Sequence, residues 1–179
     1  GTNGMVDWME NITIELADEL NQNIKIAKLY CQQEKNFIKK NFQLSKIFPL
    51  TPAPMLNDHL IEEMTNIVAL AGAEQIQECI NTGAEIILAG RTTDTAIISA
   101  LPLMKGADPG SSWHGAKVVE CGALCSTNPT SGVIMVEFDK TGFTVEPMSK
   151  NAFCTSETVA AHMLYENADP YILHEPGGY

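Results

Sequence analysis

Two short β-prone runs frame this chain, because helical sequence rather than a tight turn separates them. Ile24-Lys25-Ile26-Ala27-Lys28-Leu29-Tyr30-Cys31 alternates as a strand does, and Glu85-Ile86-Ile87-Leu88 is the most strand-like segment of all. Strands joined through helices return by a crossover and lie parallel. The flanking segments carry helical spacing. Met5 to Leu20 places Val6, Met9, Ile12, Leu16 and Leu20 at such intervals, and Gln32 to Phe42 makes a second helix with a lysine-rich face. Three prolines within Phe48–Met55 impose an extended stretch. A helix over 58–70, capped by Asn57 or Asp58, and another over 73–82 precede the second strand. A helix from Thr93 to Leu103, a loop from Gly106 to Ser112, and a helix from Trp113 to Gly122 follow it. Val133–Phe138 and Phe143–Glu146 flank Asp139-Lys140-Thr141-Gly142 as a hairpin would. A last helix opens at Thr155 and runs to about Asn167. The expected fold is α/β: a mostly parallel, helix-covered sheet with a C-terminal antiparallel hairpin, in one domain over 1–179.

Composition narrows the class. With 179 residues, 45% hydrophobic and 18% charged, the chain has the makeup of a globular domain. The formal net charge of -11 argues against a nucleic-acid partner, whose affinity draws on basic surface. No apolar run approaches the roughly 20 residues that span a bilayer, so no membrane partner is expected. Five cysteines at irregular spacing read as reduced thiols in a cytoplasmic protein. Both ends are glycine-rich turns, Gly1-Thr2-Asn3-Gly4 and Glu175-Pro176-Gly177-Gly178-Tyr179, as in a segment excised from a longer chain.

Of eleven basic residues a single one is an arginine, Arg91, directly after the second strand. Its planar fork grips a carboxylate or phosphate at two points, where lysine is a mobile point charge. Gly90 permits close backbone approach, Thr92 and Thr93 offer hydroxyls, and the helix that opens at about Thr93 brings unpaired N–H groups. Gly90 to Asp94 is therefore the candidate anion-binding turn. The plainer alternative is a structural arginine beside an ordinary helix cap and first-turn acid.

A second candidate is His114-Gly115-Ala116-Lys117-Val118-Val119-Glu120-Cys121, which sets His114, Lys117 and Cys121 near one helical face with Glu120 beside them. An imidazole, an amine and a carboxylate in reach of one another suit acid–base catalysis. Their alternative is an amphipathic helix with a solvated polar stripe. Cys121 and Cys125 lack the partners of a zinc or iron–sulfur site and read as small buried hydrophobes. Gly1–Gly4 ahead of a helix has the look of the end of a phosphate loop, on two glycines alone. His162 and Glu166 at i, i+4, and His174-Glu175, read as structural or exposed. No metal site is expected, and the sequence identifies no cofactor.

Four runs in order give the chain a relationship. Ala84–Ala96, Trp113–Ala123, Val145–Met148 and Val159–Pro170 resemble the acyclic terpene utilisation (AtuA-like) family; Pro49–Pro54 also fits, and only about 22–48 is generic. The resemblance implies a longer parent protein in the catabolism of branched acyclic terpenoids through carboxylates and acyl-CoA thioesters. It assigns no catalytic residue, though it places Gly90–Asp94 and His114–Cys121 within family motifs. The expected function is an enzyme or enzyme subunit acting on a small carboxylate or acyl-CoA. In that reading Gly90, Arg91, Thr92, Thr93 and Asp94 hold the anion, and His114, Lys117 and Glu120 serve acid–base chemistry. The alternative is a non-catalytic binding or scaffolding subunit of a catabolic complex, with a homo-oligomer or a catabolic partner subunit as further expectations.

Overall fold

The computed structural model describes residues 1–50, 52–130, 132–165, 167, 169 and 171–175. Helices and strands are mixed, with a parallel pair early and an antiparallel hairpin late, so the fold is α/β. The chain divides into two compact units, Gly1–Leu70 with Gly83–Arg91, and Ala71–Thr82 with Thr92–Tyr179.

In the first unit β1 (Ile26–Leu29) pairs in parallel with β2 (Ile86–Ala89), with Ile26 opposite Ile86 and Leu29 opposite Ala89. Helix α1 (Asn3–Glu19) buries Val6 and Ala17, while Met9, Ile12, Leu16 and Leu20 of its apolar series stay exposed. Helix α2 spans Lys35–Gln43. Helix α3 spans only Asp58–Glu63, where continuous helix to residue 70 is expected from the sequence. Its Asn57 cap accepts from the Leu60 amide at 2.8 Å, but the backbone turns extended at Met64. The run Thr65-Asn66-Ile67-Val68, β-branched at Thr65, Ile67 and Val68, instead bonds the chain beyond β1: Gln33 donates its amide to Ile67 and Ala69 donates to Cys31, both at 2.8 Å.

The second unit holds the candidate site. Helix α4 (Ala73–Asn81) packs on α5 (Asp94–Met104), and α5 packs on α6 (Pro109–Val119). Helix α6 begins four residues earlier than its pattern predicts. Asp108 accepts from the Ser111 amide at 2.8 Å, and Pro109 at the first position has no N–H to leave unpaired. The later part of the expected loop, from Pro109 to Ser112, is thus the first turn of the helix. Hairpin β3 (Ile134–Phe138) and β4 (Phe143–Pro147) is in register with Phe138 opposite Phe143, and its strands alternate half-buried and exposed residues. Its inner face packs with Val118, Val119 and Cys125 into one apolar cluster. The close approach of α6 to this hairpin needs Gly115: a Cβ there would lie 2.6 Å from Phe138 Cε1 and 2.9 Å from Phe143 Cγ. Helix α7 (Ser156–Met163), capped by Thr155, stops short of the expected Asn167.

Candidate functional site

The second unit contains a cavity of about 330 Å³ floored by one face of α6. Gly110, Trp113, His114 and Lys117 follow one another at helical spacing down that face. Thr95 enters from the first turn of α5 and Met163 from the end of α7. The segment after α7 closes it with Tyr171, Leu173 and Glu175.

The polar stripe of α6 is solvated at His114 but not at Lys117 and Glu120. Lys117 and Glu120 form an ion pair whose side chains are only 11% and 7% exposed. Two charges this deep require each other, since either one left alone keeps its desolvation cost without the compensating attraction. Lys117 lines the cavity; Glu120, just beyond the helix, holds the ammonium without being among the lining residues. His114 lines the same cavity, is exposed, and sets its ring edge-on to Phe143 with centroids 5.2 Å apart. His114, Lys117 and Glu120 thus gather at one place, although only two of them face the space.

Beside this pair lies His162, 5% exposed. Burial lowers its pKa by disfavouring the imidazolium, and Lys117 lowers it further by repulsion; a backbone hydrogen bond to Lys117 and the charge of Glu120 oppose them. Its Nε2 is buried without a hydrogen-bond partner among the described residues, as is Oε2 of Glu175 in the cavity wall. The sequence reads both as structural or exposed. A histidine four residues before an acid has no ligand pattern of its own, and Glu166, the acid in question, lies outside the described residues, as do the final residues 176–179. The one usable signal is that His162 falls inside the run Val159–Pro170 that carries the family likeness.

The Gly90–Asp94 turn is divided. Gly90 and Arg91 belong to the first unit, Thr92, Thr93 and Asp94 to the second. Gly90 is tightly surrounded, with a Cβ there meeting Gly1 O at 3.1 Å and Cys31 Cβ at 3.2 Å. Arg91 is exposed, and among the described residues no carboxylate pairs with it. Thr92 is buried; the Thr93 hydroxyl is committed to capping α5, accepting from the Ala96 amide at 3.2 Å, and Asp94 is the exposed first-turn acid. Of the turn's polar groups, the guanidinium is the one presented to solvent without a structural task among the described contacts.

Cys125 is fully buried, and its Sγ lies 4.0 Å from Cys154 Sγ, both as free thiols. Burial, with Cys154 adjacent, pushes the Cys125 thiol up to about 11. Among the described residues no helix is long and apolar enough to cross a membrane.

A family model described as "Acyclic terpene utilisation family protein AtuA" matches residues 7–178. No curated protein and no solved structure matches the chain.

Proposed function

The chain belongs to the acyclic terpene utilisation family, and from that premise we propose that it is an enzyme or enzyme subunit acting on a branched carboxylate or its acyl-CoA thioester, with the α6 cavity as the acyl site. The observation that carries this is the cavity itself: Trp113, Met163 and Leu173 supply apolar wall, and one buried ammonium, Lys117, is set among them. Ligand pockets run from about 300 to 1,000 Å³. At about 330 Å³ this one has room for an acyl chain.

Proton abstraction beside a carbonyl is the reaction class this arrangement fits. Lys117 polarises the carbonyl oxygen and stabilises the enolate charge that develops there. Glu120 acts as a positioning residue for Lys117, and His114 exchanges the proton. The test follows deuterium entering the α-carbon of a branched acyl thioester in D2O with the full chain. We expect exchange, and a drop of about 10²–10⁴-fold in His114→Ala, the usual worth of an acid–base group. Saturable binding with no exchange would sink the enzyme and favour a binding or scaffolding subunit.

Within the first unit, Arg91 beside Gly90 is proposed as a separate anion contact. Arg91→Lys should weaken an anionic probe and leave thermal unfolding unchanged; equal affinity in both proteins would return Arg91 to a structural role.

A further inference from the structure

The charge balance around the cavity decides which head group it accepts, an inference that rests on reading the cavity as the acyl site. One ammonium, one imidazole and two carboxylates stand there: Lys117, His114, Glu120 and Glu175, and His114 forms no ion pair with Glu175 among the described residues. Lys117 and Glu120 compensate each other at close to full burial. That leaves Glu175, whose Oε2 is buried, lines no ion pair among the described residues, and lacks a hydrogen-bond partner. The neighbouring His162 adds no positive charge, because its surroundings favour the neutral ring.

A free carboxylate entering this space brings a second uncompensated negative charge against Glu175. It also offers only acceptors to an oxygen that already needs a donor. An uncharged head carrying an N–H or O–H does the reverse, satisfying Oε2 while its own acceptor faces Lys117. We propose that the α6 cavity selects branched acyl ligands with an uncharged, hydrogen-bond-donating head, and that Glu175 is the residue that excludes the free acid. An amide-bearing thioester arm and a primary alcohol share this chemistry.

The test is calorimetric titration of the full chain with three probes on one carbon skeleton: 3,7-dimethyloctanoic acid, its N-acetylcysteamine thioester, and 3,7-dimethyloctan-1-ol. Wild type should bind at least one neutral probe about tenfold or more tighter than the acid, the scale of one unfavourable charge contact. Tightest binding of the thioester or of the alcohol tells which source of the donor applies. Glu175→Gln keeps the shape, removes the charge, and should bring the acid to within about threefold of the neutral probe. Acid binding as tight as the neutral probes in wild type overturns the inference while leaving the cavity as the acyl site. An unchanged preference in a folded Glu175→Gln overturns the role of Glu175. Failure of all three probes to bind removes the acyl-site reading, and the inference with it.

Discussion

Gly115 shows what a single missing side chain accomplishes. Helix α6 lies so close to the hairpin that a methyl group at this position would meet Phe138 at 2.6 Å and Phe143 at 2.9 Å. The Phe143 ring is packed at the apolar cluster and the Phe138 ring lies against it, centroids 6.1 Å apart, so a methyl group there must displace packed aromatic rings. Gly115→Ala gains helix propensity but overpacks the contact, so we expect a net loss of about 1–3 kcal/mol in urea unfolding. Phe138→Leu added to Gly115→Ala should recover part of it; an alanine variant as stable as wild type would show that the hairpin shifts freely. His114, next in the chain, is exposed and edge-on to the same Phe143, so the glycine that seats the helix also sets the place of a candidate acid–base group. The sequence presents Trp113-His114-Gly115 as a motif, but nothing in its spacing says that the glycine is the member on which packing depends.

At the scale of the element, α6 reverses the plain reading of its pattern. Lys117 and Glu120 at i, i+3 suggest a surface pair worth a few tenths of a kcal/mol. Burial changes the sign of the reasoning. Lys117→Met alone strands a buried carboxylate and should cost about 3–5 kcal/mol, whereas Lys117→Met with Glu120→Leu should recover most of that loss. Chemical unfolding of the two single variants and the double variant checks this; three equal destabilisations would mean that the pair is solvated. The start of α6 was legible in principle, since Asp108 and Pro109 are a cap and a first helical residue. The glycine and serines that follow disguise them as a loop. The early end of α3 was not legible, because the extended run after Met64 is fixed by hydrogen bonds to residues some thirty-five positions away.

At the scale of the molecule, pH dependence separates two populations of charge. Asp7, Glu62, Asp108, Asp139, Glu157 and Asp169 have carboxyl groups held below the ordinary range by hydrogen bonds and nearby cations. Their stabilisation is present above the unfolded values and is lost as pH falls below about 4.5. His162 acts in an earlier window. Its folded pKa is lowered from 6.5, so the unfolded chain binds the proton first, and stability declines as pH drops from 6.5 towards the folded value. Thermal midpoints by circular dichroism should fall between pH 6.5 and 5, and His162→Gln should flatten that slope; an unchanged slope would place the titration elsewhere.

The sequence alone determined the class of fold, the parallel pairing of β1 with β2, the hairpin and its turn, and the family. Each follows from local spacing, or from several motifs in one order, which survive without knowledge of distant contacts. Tertiary structure decided which polar residues are buried and which partners they meet. It placed Lys117 and Glu120 out of water, left Met9, Ile12 and Leu16 of α1 exposed, and brought His162 and Glu175 to the α6 cavity region. Burial is a property of the neighbours a residue acquires on folding. Charge and spacing along the chain do not contain it.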